Sequence, residues 1–186
     1  MRLIVIAAAS LVLVTSSNVT GQEPAKSCLT VPSELNGYRL TDTKVFDDST
    51  EGTSYRYKNG SSDLVTMFIY PISPAARRGS DVRDWVAAEG QGFKEVFPAG
   101  VQRGWWQEYT AAFDHPDSVL VGTEQIPGYL VAGVTRRGNV VNVELEYLFE
   151  MCDRFVKVRG TLASATWNQS LFSRFAKDAV AYLRQH

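Results

Sequence analysis

Histidine is scarce in this chain: His115 and the terminal His186 are the only two in 186 residues. A zinc site built on them would need further ligands, and neither an HExxH helix nor a CxxC pair is present. Serine hydrolase chemistry lacks its GxSxG elbow, and His115-Pro116-Asp117-Ser118 places the right residue types side by side in a turn, where adjacent side chains rarely face one another. Gly90-Gln91-Gly92 lies inside a helical pattern with no following Lys-Ser or Lys-Thr, so it is no phosphate loop. Asp47-Asp48 with Glu51-Gly52 lacks the spacing of an EF-hand and reads as an acidic turn. The sequence therefore implies no catalytic residue, no metal and no cofactor. Neither sign of charge dominates, with 19 basic against 20 acidic side chains, which argues against nucleic acid as a partner.

Long apolar runs are also missing, with one short exception at the start. Arg2 precedes twelve residues, Leu3 to Val14, in which nothing is more polar than Ser10, and Thr15-Ser16-Ser17-Asn18 follows. A basic start, a greasy stretch and a small polar exit make a secretory signal peptide. The run is shorter than the roughly twenty residues a membrane-spanning helix needs, so no stable anchor is expected after cleavage. Cuts after Ser16, Ser17 or Gly21 fit, and Val19-Thr20-Gly21 before Gln22 fits best. Residues 1–21 are thus the signal peptide, 22–37 an extended N-terminal segment and 38–186 a single domain. Cys28 lies too far beyond Val14 for a lipoprotein. The expected address is secreted or periplasmic.

Removing 21 residues from 186 leaves 165, enough for one core, and removing Arg2 leaves 18 basic against 20 acidic side chains. Both cysteines remain, and in an exported protein an even count favours a Cys28–Cys152 disulfide, the alternative being two unpaired thiols. The bond would close a loop of more than 120 residues. Asn59-Gly60-Ser61 and Asn168-Gln169-Ser170 are glycosylation acceptors only in a eukaryotic host.

Alternation and turn residues divide the domain into short strands and two amphipathic helices. Strands are expected at 38–46, 53–58, 63–70, 101–113, 118–124, 129–136, 140–149 and 155–162. The first helix starts at an Ser80 cap, carries Val82, Trp85, Val86, Phe93, Val96 and Phe97, and stops at Pro98, with Gly90 and Gly92 as weak points. The second spans about Asn168 to Arg184, with Leu171, Phe172, Phe175, Ala176, Ala179, Tyr182 and Leu183 on one face. For the hairpin around Cys152 we expect Phe149 opposite Arg154, Tyr147 opposite Val156, Leu145 opposite Val158 and Val143 opposite Gly160. Glu146 then meets Lys157 and Glu144 meets Arg159 in a solvated ladder. The fold class is α+β: an antiparallel sheet of about six to eight strands covered by two main helices.

Gly37-Tyr38, Thr53-Ser54-Tyr55-Arg56-Tyr57, Leu64 to Pro71, Phe155 to Thr161 and the closing helix resemble segments of exported bacterial proteins. The order of elements is similar to the Mog1/PsbP-like sandwich, which implies an accessory or binding role and supplies no catalytic residue.

The least ordinary segment is Arg103-Gly104-Trp105-Trp106-Gln107-Glu108-Tyr109. In a strand Trp105 and Tyr109 would share one face and Trp106 the other, so one tryptophan is under a helix or exposed. Trp105, Trp106 and Tyr109 are therefore the candidate surface for an unknown protein or small apolar ligand. Two other functions stand beside a non-catalytic binding domain: an extracytoplasmic hydrolase using His115 and a carboxylate, and a structural or assembly factor of the cell envelope.

Overall fold

A computed structural model describes residues 29–60, 63–78, 81–163 and 169–185. The expected signal peptide, Cys28, the expected Ser80 cap, Asn168 and His186 lie outside these residues. The chain runs β1 (Glu34–Leu35), β2 (Tyr38–Val45), β3 (Thr53–Lys58), β4 (Leu64–Pro71), α1 (Val82–Lys94), α2 (Val96–Gln102), β5 (Glu108–Val121), β6 (Glu124–Arg137), β7 (Val140–Met151), β8 (Arg154–Ala163) and α3 (Gln169–Gln185). Two meanders, β1 to β4 and β5 to β8, join along β4 and β8 into one eight-stranded antiparallel sheet, ordered β1-β2-β3-β4-β8-β7-β6-β5.

Both faces of the sheet are covered, as side-chain alternation along β7 requires. Leu145, Tyr147, Phe149 and Met151 pack with Phe172, Phe175, Ala176 and Leu183 of α3. Leu148 points the other way, into a second cluster with Val86, Phe93 and Phe97 of α1 and α2. The α+β antiparallel sheet is as expected, but among the described residues three α-helices rather than two cover it, on opposite faces.

The expected first helix is divided by the chain's own chemistry. Asp81 caps α1, its carboxylate accepting from the Arg83 N–H at 2.9 Å. The break comes at Glu95, between the two helices, and not at Gly90 or Gly92. Pro98 does not stop the helix either. It sits in the first turn of α2, where its missing N–H would have had no intrahelical acceptor. Gly90 has a packing reason: a Cβ there would overlap the Tyr129 ring, so the glycine lets α1 lie against β6.

Three strand expectations need correction, the first being that the strand expected at 129–136 begins already at Glu124 and runs through Pro127 as β6. Residues 101–107 are not a strand, because α2 continues through Gln102 and a turn with Gly104 at φ 74° follows. The expected strands ending at Phe113 and beginning at Ser118 are one continuous β5 running through Pro116. A proline is tolerated because β5 is the sheet's edge.

The β7–β8 register differs from expectation by two residues. Phe149 faces Val156, Tyr147 faces Val158, Leu145 faces Gly160, Val143 faces Leu162 and Glu146 faces Arg159. A shift of two preserves each side chain's face, which is why the apolar pattern fitted both registers. What decides between them is the turn: Met151 pairs with Arg154, leaving Cys152 (φ 54°) and Asp153 (φ 58°) as a two-residue loop with both residues left-handed.

The sheet begins earlier than position 38. Leu29 is buried in the α3-side core, β1 pairs with β2, and the buried Tyr57 donates its hydroxyl to the Pro32 carbonyl at 2.8 Å.

Candidate functional site

The turn after α2 stands on a stack of rings. Phe97 of α2 lies parallel to Tyr109 of β5, with centroids 4.6 Å apart. Trp106 leans on Phe97 at 5.8 Å and covers Gly100, where any Cβ would overlap its ring. Half-buried Trp106 and Tyr109 both pack against the α1/α2 core cluster. Trp105 then meets Trp106 edge-on at 6.0 Å and remains 48% exposed. The structure thus brings the three aromatic residues together with only Tyr109 in a strand: two form a foundation and one faces water. Arg103 lies over the Trp105 ring at 5.1 Å, the geometry of a cation–π contact.

His115 is exposed on β5, its Nδ1 2.9 Å from the Pro116 carbonyl and its ring stacked on Phe113. Neighbouring carboxylates are engaged elsewhere. Asp114 accepts from the Tyr129 hydroxyl at 2.6 Å and pairs with Lys94 at 3.0 Å; these hydrogen bonds hold its carboxyl below the usual range. Asp117 accepts from Tyr147 and pairs with Lys177 of α3 at 3.4 Å. A cleft of about 540 Å³ separates α1 from the β5–β6 hairpin, lined by Arg83, Asp84, Pro116, Asp117, Ser118 and Tyr129 among others. Burial, with Asp114 second, pushes the Tyr129 hydroxyl up to about 12, so it stays a donor at neutral pH. Among the described residues no three His, Cys, Asp or Glu side chains gather so as to hold a metal ion.

Glu144 and Glu146 are not the solvated ladder expected from the sequence; both are buried under α1 and α2. Glu144 accepts from Thr135 at 3.2 Å, Thr161 at 2.8 Å and Arg159 at 3.2 Å, so its charge is well supported. Glu146 is 1% exposed, and its Oε2 has no hydrogen-bond partner. Burial pushes its carboxyl up to about 8, against the pull of Lys157 and Arg159. Phe93 roofs both cations, with its centroid 5.3 Å from the Lys157 ammonium and 5.8 Å from the Arg159 guanidinium. The signal for this charged layer was Leu148-Phe149: consecutive apolar residues in a central strand mean that both faces are covered.

The fold itself has a solved counterpart. The chain is similar to cyanobacterial PsbP (CyanoP) from Synechocystis, with a TM-score of 0.50 and 13% identity over 80% of this chain and 89% of that one. The PsbP-like arrangement of elements is therefore real, and at that identity the likeness is one of fold alone. No protein-family model and no curated protein matches the sequence.

Cys152 occupies the tip of the β7–β8 hairpin. Leu29, the residue after Cys28, and Met151, the residue before Cys152, are buried in the same α3-side cluster.

Proposed function

We propose that this chain is an exported, non-catalytic binding or accessory domain whose contact with a protein or small apolar ligand centres on Trp105. The observation that carries this reading is a tryptophan left half in water above a rigid aromatic foundation. Such a ring can bury a large area with little loss of conformational freedom, which is what binding-energy hot spots do. Export is supported by the leader-like segment ahead of Gln22, and no helix among the described residues is long and apolar enough to cross a membrane. A Cys28–Cys152 disulfide belongs to the same reading, supported by an even cysteine count and the placement of Leu29 and Met151 in one core.

The hydrolase alternative draws less support, since Asp114 and Asp117 are occupied by Tyr129, Lys94, Tyr147 and Lys177 and do not orient the His115 imidazole. The test of the binding reading is capture of a ligand from envelope extract by the exported protein, repeated with Trp105→Ala. Loss of the captured species with an unchanged melting temperature supports it. Retention of everything captured refutes it, and turnover abolished by His115→Ala would replace it with the hydrolase. A stable stoichiometric complex with an envelope protein would specify the accessory role as assembly.

A further inference from the structure

Most of the described arginines are neutralised: Arg39, Arg56, Arg77, Arg136, Arg159, Arg174 and Arg184 each lie within 4.0 Å of a carboxylate. Arg83, Arg103, Arg137 and Arg154 make no such pair among the described residues, and of these Arg103 and Arg137 are exposed at the Trp105 end of the fold. The proximity of Arg103 and Arg137 follows from two hydrogen bonds that tie the turn after α2 to the β6–β7 turn. The Gln107 N–H donates to the Arg136 carbonyl at 2.8 Å, and its Oε1 accepts from the Gly138 N–H at 3.0 Å.

Strand alternation puts Arg137 on the correct face. Tyr129 and Val131 of β6 are buried under α1 and α2, and Thr135 donates to Glu144 on that same side. Residue 137 continues the odd-numbered phase and so shares the face that carries Trp106 and Tyr109. Its partner across the strands is Val140, which is 57% exposed. Two exposed apolar side chains, Trp105 and Val140, thus each lie beside a guanidinium group that has no carboxylate within 4.0 Å among the described residues: Arg103 over the Trp105 ring and Arg137 across the strands from Val140. The Arg103 guanidinium lies over the Trp105 ring, 5.1 Å from its centroid.

Resting on the reading of Trp105 as a binding surface, we propose that this end of the domain recognises an acidic segment of a partner polypeptide that carries an apolar side chain between its carboxylates. The apolar residue covers Trp105 and Val140, while the carboxylates satisfy Arg103 and Arg137. The chain as a whole carries a formal net charge of −1, so the attraction for a negatively charged segment would come from these two local guanidinium groups and not from the overall charge.

The probe is a short synthetic peptide of alternating Asp and Leu, compared with its Asn and Leu counterpart and with phosphatidylglycerol vesicles, titrated calorimetrically into the exported protein. The acidic peptide is expected to bind about tenfold more tightly than the neutral one and to weaken about tenfold in 0.5 M salt. Arg103→Gln and Arg137→Gln should each cost about two- to fivefold with no change in melting temperature, and Trp105→Ala should abolish binding. Equal binding of both peptides, lost in Trp105→Ala, overturns the acidic partner and leaves the Trp105 surface standing. Binding to the vesicles in preference to the peptide overturns it in favour of a lipid surface. If Trp105→Ala changes the binding of no probe while ligand capture from envelope extract also persists, both readings fall.

Discussion

Replacing Glu146 with glutamine should stabilise the domain, by an amount that depends on pH. The carboxyl sits on central strand β7, 1% exposed, opposite Arg159 and beneath α1. Burial is the main cause of its rise to about 8; Lys157 and Arg159 from β8 oppose it, and Glu89 of α1 adds to it. In the unfolded chain the group titrates near 4.5. Below that value both states are protonated and the group is neutral to stability. As pH rises from 4.5 to about 8 the unfolded chain gives up a proton that the folded chain retains, so stability falls by about 1.4 kcal/mol per pH unit. The accumulated loss is about 3 kcal/mol at pH 7 and about 5 kcal/mol above pH 8. Glutamine has the same shape and does not titrate, so Glu146→Gln should match the wild type at pH 4 and exceed it by most of that loss at pH 9. Urea unfolding followed by circular dichroism at several pH values measures this directly. A difference between variant and wild type that is constant with pH, or one that favours the wild type at pH 9, would refute the reasoning. Glu144→Gln is the contrasting control, because that carboxylate supports Arg159, Thr135 and Thr161. It should destabilise by about 1–3 kcal/mol at neutral pH.

The remaining expectations concern packing and processing. Trp106→Ala should cost about 2–4 kcal/mol in denaturant unfolding because it strips the ring from Gly100 and Phe97, whereas exposed Trp105→Ala should stay within about 0.5 kcal/mol. Gly90→Ala replaces a poor helix former with the best one, yet it should destabilise by about 1–3 kcal/mol because the new methyl meets the Tyr129 ring. Mass spectrometry of the exported protein should place its first residue at Gln22. Thiol counting should find none free without reductant, and Cys152→Ser should lower stability by about 2–5 kcal/mol.

Period-two patterning with turn residues located β2, β3, β4, β7 and β8 to within a residue or two, and amphipathic spacing located α3. The pattern could not choose between registers two residues apart, since each places Leu145, Tyr147 and Phe149 on the same face. Only the left-handed pair Cys152-Asp153 breaks the tie, and neither residue announces that conformation as an Asn-Gly would. Trp105 and Trp106 were singled out by composition. Their placement was not legible because Pro98, usually a stop, sits here at the one part of a helix that accepts it. Glu144 and Glu146 looked like a wet ladder because alternation reports two faces without saying that a second layer of helices covers the polar one.

The edge strand β5 also bears on how copies of this domain meet. Its fourteen residues, Glu108 to Val121, form one border of the sheet, long enough to template a strand from another molecule. The register against β6 skips a residue between Ala111 and Phe113, and Pro116 has no N–H to offer. Beyond the skip the alternation of outward-facing groups changes phase, so an incoming strand aligned with residues 108–111 is misaligned from 113 onward. Any pairing of a second strand along this border is therefore confined to segments of a few residues.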